Sequence, residues 1–572
     1  MVMKNMIVLV LGLAALVYLP LLLVMRSCSY DRAREARPAF RLHNYIRQES
    51  SRHQEESLVV LQMPQDNFTD HTAETDERES LVQTDKISEV SSKLPSLAYE
   101  TARRRVGREA EELGSYLDRQ LTRLKNATRD TTTRRRLEEI LIDLGERQRS
   151  LISDIQNLSQ VDGYKASRRK EIDSLAALVQ SRLRYIQNPH NCSTARKIVC
   201  RLRDEVGYGC HLHHIAGCLI AAYATNRTLI VNTKRWNYAP NGWSKIFLPL
   251  SETCTSGRGR THADWDDFVT LGKDAQVIYM PTLLRIKTKT PLFIPPAVPA
   301  DLPGPLARLH GFPAVWWVGQ IMLYIQRLKP HQQEMLTHQA YNMGFKHPIV
   351  GVHVRRTDKL LKEASFHPIE QYMDHAEEFF LRLEMTAAET PVRRVYLATD
   401  DRRLLAEARA KYPNYIFVSS SAITNSARLE SRYTEESLWG IVQDLMFLAR
   451  TDFLVCTLSS QIGRAAYEMM QAYHTDASTL VRSLDDKYFF AGGRGHDWVV
   501  RRAHRPRSAA ELDLLPGDVV RMIGNRWDGY SMGSRRRVPH EARVKGLFPT
   551  YKVEDSTLIA QMPTYPELQQ TP

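Results

Sequence analysis

Pro348-Ile349-Val350-Gly351-Val352-His353-Val354-Arg355-Arg356-Thr357-Asp358-Lys359 is the stretch that decides the fold. An apolar run leading into two adjacent arginines reads as a buried parallel strand. Its end delivers two permanently charged, planar forks to the carboxyl edge of an α/β sheet, where open sheets bind ligands. Such an edge suits a phosphate. On its own, an Arg-Arg dipeptide is more often a surface pair bridged to a neighbour such as Asp358. The flanking His353 and a second phosphate-competent turn downstream change that reading. The second turn is Phe453-Leu454-Val455-Cys456-Thr457-Leu458-Ser459-Ser460-Gln461, followed at helical spacing by Ile462, Ala465, Ala466, Met469 and Met470. A strand, a short turn and a helix start point N–H groups and a positive dipole end at whatever lies above the sheet. The plainer reading is that Ser459 or Ser460 only caps the helix.

Between these turns, Arg394-Val395-Tyr396-Leu397-Ala398-Thr399-Asp400-Asp401 and Tyr415-Ile416-Phe417-Val418 read as further short buried strands separated by helical patterns. The spacing predicts a Rossmann-like nucleotide domain over residues 347–502, without the Gly-x-Gly-x-x-Gly fingerprint of dinucleotide binders. Residues 188–346 carry strand-like Thr228-Leu229-Ile230-Val231 and Val277-Ile278-Tyr279-Met280, and a helix around Trp316 and Trp317. They predict an open α/β domain, with the tryptophans in its core. Over residues 100–187, apolar residues recur at three- and four-residue steps, from Leu113, Leu117, Leu121 and Leu124 to Val179, Leu183 and Ile186. They predict a helical stem with a coiled-coil or helical-hairpin seam, interrupted at Gln148 and broken near Thr131 and Gly163. Such a seam serves either a dimer or packing on the chain's own catalytic domain. Residues 26–99 are polar and aperiodic, a flexible stem.

From about residue 503 the pattern changes to short strands and turns. Leu515-Pro516-Gly517-Asp518, Trp527-Asp528-Gly529-Tyr530 and Gly546-Leu547-Phe548-Pro549-Thr550-Tyr551 together resemble an SH3 domain, predicting an SH3-like β-barrel over residues 503–566. A membrane-bound adaptor whose groove holds Pro-rich ligands is therefore a competing reading. The segment lacks the tandem acidic loop and the Ala-Leu-Tyr-Asp-Tyr opening of peptide-binding members.

With 572 residues and a formal charge of +13, the chain has room for several cores. Its basic runs, such as Arg134-Arg135-Arg136, fall in the helical stem, where solvated faces account for them, and no aromatic-basic platform accompanies them, so nucleic acid is set aside. Asn5 to Met25 is apolar apart from Pro20 and would span roughly 31 Å as a helix, one hydrocarbon core. It is expected to be an uncleaved signal anchor (residues 5–25) behind a cytosolic tail (residues 1–4), a cleaved signal peptide being the alternative. Counting Lys4 against Arg26, Arg32, Arg34 and Arg37 would leave the bulk of the chain in the cytosol. Sequons at Asn67, Asn126, Asn157, Asn191 and Asn226, and the cysteines at 192, 200, 210, 218 and 254, argue instead for an oxidising lumen. The spacing of those cysteines lacks Cys-x-x-Cys knuckles, so disulfides are preferred to zinc.

His353-Val-Arg-Arg-Thr-Asp-Lys359, Tyr396-Leu-Ala-Thr-Asp-Asp401 and Cys456-Thr-Leu-Ser-Ser-Gln461 resemble the three donor-site motifs of the α1,6-fucosyltransferases. The likeness extends to Gly207-Tyr-Gly-Cys-His-Leu-His-His214, Pro313-Ala-Val-Trp-Trp317 and Phe366-His-Pro-Ile-Glu-Gln-Tyr372. The shorter Arg-Arg and Asp motifs are shared with protein O-fucosyltransferases and bacterial chitooligosaccharide fucosyltransferases, so alone they would define the donor and not the acceptor. The resemblance implies a GT-B-like α/β glycosyltransferase in the Golgi membrane, single-pass type II with a lumenal catalytic domain, forming a homodimer through the stem. It would move L-fucose from GDP-β-L-fucose to the innermost GlcNAc of an N-glycan acceptor, with no cofactor and no metal.

By the same resemblance, Glu363 is the base, oriented by Lys359, and Arg355 meets the β-phosphate with the amides of Ser460 and Gln461. Arg356 would pair with Asp358. His353 and Asp444 hold the guanosine, while Tyr238, Asp400 and Asp401 complete the donor site. The implied disulfides are Cys192–Cys254 and Cys200–Cys218. Val206 and Gly463 stand where relatives carry the partners of Cys210 and Cys456, leaving both thiols without a bridge. Arg526 stands where vertebrate relatives carry a histidine. A metal-dependent glycosyltransferase remains the alternative suggested by Asp264-Trp265-Asp266, which lies in a polar stretch and not at the end of an apolar strand.

Overall fold

The computed structural model describes residues 94–202, 206–234, 236–239, 242–267, 274–281, 291–356, 365–427, 431–490, 497–535 and 544–568. The cytosolic tail, the anchor, most of the flexible stem, Asn67, Cys28, Asp358, Lys359 and Glu363 lie outside the described residues. Among those described, no helix is long and apolar enough to cross a membrane.

Three helices, Leu97–Ala127, Thr131–Val161 and Lys165–Gln187, occupy the stem region. Asp130 separates the first two by capping Thr133 N at 2.7 Å, and Gly163, at φ +77°, turns the chain into the third. The first two form a hairpin sealed by Ala110, Ile152 and Ile155. Gln148, the polar residue that interrupts the heptad pattern, lies against Gly114, where a Cβ would meet its side chain at 1.9 Å. Leu113 and Leu124, which sequence spacing placed in the seam, are 56% and 58% exposed, because Ala110 takes the hairpin-facing position. The third helix buries Ile172, Val179, Leu183 and Ile186 in the main core.

Two parallel sheets follow. The first, in the order β2-β1-β4-β3, contains β1 (Lys197–Arg201), β2 (Thr228–Asn232), β3 (His262–Asp264) and β4 (Val277–Met280). The buried helix Tyr208–Ala224 crosses from β1 to β2, and a short strand, β5 (Ala297–Pro299), lies apart from that sheet. Trp316 and Trp317 are fully buried on the helix Pro313–Ile325. The second sheet, β10-β9-β6-β7-β8, has β6 (Val350–Val354) at its centre, with β7 (Arg394–Thr399), β8 (Ile416–Val418), β9 (Phe453–Cys456) and β10 (Val481–Ser483). Every β6 residue is buried, as a run of valines between helices on both faces requires. Burying each such side chain contributes about 1.5–3 kcal/mol.

The C-terminal sheet is antiparallel, in the order β14-β13-β12-β11-β15, built from β11 (Asp497–Val500), β12 (Val519–Asn525), β13 (Tyr530–Arg535), β14 (Val544–Pro549) and β15 (Val553–Asp555). It begins ahead of residue 503, because Trp498-Val499-Val500 is too short a run to separate from the preceding segment by pattern. β16 (Leu558–Ala560) leaves this sheet and pairs with β5.

Cys192–Cys254 and Cys200–Cys218 are both bonded. Cys210 is disulfide-bonded too, which corrects the expectation of an unbridged thiol. Cys456 is free and buried, and burial pushes its thiol pKa up. Asn126, Asn157, Asn191 and Asn226 are all exposed.

Candidate functional site

β6 and β7 run in parallel register, Val354 beside Thr399, so Arg355-Arg356 and Asp400-Asp401 leave the same sheet edge side by side. Arg355 forms an ion pair with Asp400. The other oxygen of Asp400 accepts the Arg356 amide at 2.9 Å. Arg355 keeps 19% of its side chain exposed, against 3% for Asp400, so the guanidinium is braced at the sheet edge by a buried carboxylate. That is the geometry of a prepositioned anion clamp. Arg356 turns inward to Asp401 at 3.2 Å and Glu407 at 3.5 Å, with its guanidinium carbon 4.8 Å from the Phe366 ring centroid. These contacts supply the structural role that the sequence assigned to pairing with Asp358.

The second turn joins β9 to the helix Gln461–Tyr473. Ser460 occupies the N-cap position, yet its side chain makes no capping bond, so simple capping does not explain the turn. One expected contact is corrected. The Ser460 amide donates to Thr457 O at 3.0 Å and is committed to closing the turn, leaving the Gln461 amide as the turn's predicted phosphate donor. Ser483, at the end of β10, accepts Leu458 N at 3.1 Å, and Asp485 accepts Ser459 N at 3.3 Å. A second helix start abuts this one: a Cβ on Gly209 would meet the Gln461 Cβ at 2.6 Å. Gly207-Tyr208-Gly209 therefore belongs beside the site, and sequence reasoning assigned it no role. Its signal was a pair of glycines at a helix start, where one allows close backbone approach.

Alternation along the strands places His353 on the same sheet face as Tyr396 and Ala398, the face covered by the helix Glu435–Leu448. Tyr396 donates its hydroxyl to Asp444 at 2.7 Å. Burial lifts the Asp444 carboxyl to about 7 despite that bond. Tyr238 is buried, accepts the Tyr208 amide at 3.0 Å and packs edge-on against Tyr433 at 5.2 Å. Burial pushes its hydroxyl up to about 12, opposed first by the charge of Arg432. Tyr433 and Arg432 are additions that no local motif signalled.

Two other features stand apart. Asp264 closes β3, an edge strand with exposed outer residues, and Trp265 beside it is core. Cys200, His214 and Cys218 are the one metal-capable group among the described residues, but both sulfurs are joined to each other.

Two parallel α/β sheets with an arginine edge beside a helix start make a site for a phosphate-bearing ligand, as a nucleotide-sugar glycosyltransferase requires. A family model described as alpha-(1,6)-fucosyltransferase N- and catalytic domains matches residues 1–489, and one for a variant SH3 domain matches residues 500–554. An alpha-(1,6)-fucosyltransferase of Drosophila melanogaster is 41% identical over 82% of this chain and 75% of its own length. One of Caenorhabditis elegans is 35% identical over 71% and 72%. Among solved structures, NodZ alpha-1,6-fucosyltransferase soaked with GDP-fucose aligns at 16% identity and TM-score 0.32, over 48% of this chain and 92% of its own. This chain belongs to the alpha-(1,6)-fucosyltransferase family.

Proposed function

We propose that this enzyme transfers L-fucose from GDP-β-L-fucose to the 6-hydroxyl of the Asn-linked innermost GlcNAc of N-glycans, inverting the anomeric centre. The observation that carries the donor half is Arg355, braced by Asp400 at the end of β6, beside β9 and the Thr457–Gln461 turn. The acceptor half rests on family membership.

In the proposed step, the acceptor O6 loses its proton to the Glu363 carboxylate and bonds to C1 of fucose, while the bond from C1 to the β-phosphate oxygen breaks and its electron pair leaves with GDP. Lys359 keeps Glu363 ionised. Arg355 and the Gln461 amide receive the charge of the departing diphosphate, so the step needs no metal. Ionised Asp444 accepts from guanine N1–H and the 2-amino group, with His353 beside it, while Tyr238 and Asp401 brace the site.

The setting proposed is the Golgi lumen, behind the Asn5–Met25 anchor. Exposed Val106, Leu113 and Leu124 on the first stem helix, with Leu151 and Leu158 on the second, support a homodimer through that hairpin. The SH3-like module is proposed as scaffold or acceptor contact. Glu363→Gln tests the chemistry: calorimetry should find GDP binding retained while turnover is lost, and loss of both would make Glu363 a donor-site or structural residue.

A further inference from the structure

Two cation–π contacts tie one short segment of the second α/β unit to the C-terminal module. Arg482, on the edge strand β10, lays its guanidinium carbon 4.7 Å from the ring centroid of Trp527, in the turn between β12 and β13. Further along the same segment, the Lys487 ammonium lies 4.6 Å from the ring centroid of Trp498 on β11. Burial lowers the Lys487 pKa to about 8, which leaves it cationic at neutral pH. Trp527 sits at φ +55°, in the left-handed region that a bulky side chain rarely adopts. Strain of that kind persists where surrounding contacts fix it. Here Asn525 accepts the Trp527 amide at 3.2 Å, and the next residue, Asp528, pairs with Arg123 of the first stem helix at 3.1 Å.

Between the two gripped cations lie the groups that shape the donor-site turn. Ser483 Oγ accepts the Leu458 amide at 3.1 Å and donates to Asp485 at 3.0 Å, and Asp485 accepts the Ser459 amide at 3.3 Å. β10 is a three-residue edge strand whose one sheet neighbour among the described residues is β9. Its outer side is held by the module. We infer that Trp498 and Trp527 are positioning residues for the nucleotide donor: they grip residues 482–487 at both ends and so hold the Thr457–Gln461 turn in the shape that receives the diphosphate. With the grip released, the segment samples other positions, and GDP affinity falls with the fraction of molecules whose turn is in place. The C-terminal module thus contributes to donor binding through the turn. This inference rests on the donor reading above.

The test is Trp498→Leu and Trp527→Leu in the full chain, singly and together, with GDP affinity measured by calorimetry and Tm measured without ligand. Each single change should weaken GDP binding roughly fivefold and the pair roughly twentyfold, as the loss of one and of two cation–π contacts implies. Trp527→Phe, which keeps a π face, should lie nearer wild type. In a Ser483→Ala background, where the segment's hold on the turn is already cut, adding Trp527→Leu should cost less than about twofold more. GDP affinity within about twofold of wild type in the double tryptophan variant would overturn the inference, even with a lowered Tm, because the tryptophans would then serve the fold alone. So would a loss of roughly fivefold from Trp527→Leu in the Ser483→Ala background, since the effect would then bypass the turn. If Trp527→Leu does not fold, Arg482→Gln removes the same contact from the sheet side and is held to the same outcomes. Wild-type protein that binds no GDP would sink the donor reading itself, a result distinct from these.

Discussion

Arg355 and Arg356 are neighbours in sequence with opposite surroundings. One is braced by Asp400 and partly exposed, while the other is locked against Asp401, Glu407 and Phe366. Alternation at a strand end foreshadows this split, but the partners of Arg356 come from β7 and the helix after it, which no local pattern links to β6. Arg355→Ala should lower kcat/KM by at least about a hundredfold, some 3 kcal/mol of lost leaving-group stabilisation, with Tm little changed. Arg355→Lys should fail as well, because an ammonium cannot reproduce the fork. Steady-state kinetics on folded protein check both.

Asp444 gives a pH signature. Its folded pKa of about 7 lies above the ordinary carboxylate value, so the fold binds more protons than the unfolded chain between the two, and ionisation costs stability as pH rises through that window. In the proposed guanine contact, GDP needs the ionised form. Its affinity should therefore climb as pH rises towards about 7 and level off above it, whereas Asp444→Asn should bind weakly and without that slope. A wild-type affinity flat with pH would remove Asp444 from guanine recognition.

At the scale of elements, β6, β7, β9 and the helix after β9 were legible because buried parallel strands are short apolar runs bounded by turns. The turn's internal wiring was not legible. Spacing alone cannot reveal that the Ser460 amide is committed to Thr457 O, or that Ser483 and Asp485 hold the turn from β10. The stem misled for a related reason: leucine periodicity identifies a stripe, but small Ala110 and Gly114 decide which face closes on the hairpin partner. The C-terminal module is tied to the first stem helix by Arg105–Glu554, Arg501–Glu109 and Arg123–Asp528, and β16 pairs with β5. Removing everything after residue 502 strips Glu554, Asp528 and β16 and leaves Arg501 on β11 without the rest of its sheet. Secreted yield and Tm should both fall, and a truncated protein secreted and melting like wild type would show that the module is dispensable to the fold.

For the whole molecule, the sequence carried the order of its parts: a helical region, two α/β sheets and an antiparallel C-terminal sheet. What it could not carry is how one helix serves several of them. Leu97–Ala127 reaches the last-turn carbonyls of the helix Pro303–Leu309 through Arg104, the second α/β unit through Glu111–Arg382, and the C-terminal sheet through Arg105. Those pairs join residues hundreds of positions apart, and charges on a helix face carry no address in a single sequence. The central claim concerns the transfer itself. Incubating the purified protein with GDP-β-L-fucose and an agalacto biantennary N-glycan, then determining the linkage of any product, tests it most directly. One fucose joined α1,6 to the Asn-linked innermost GlcNAc is the expected result, and fucose at any other position, or none from a protein that binds GDP, would contradict it.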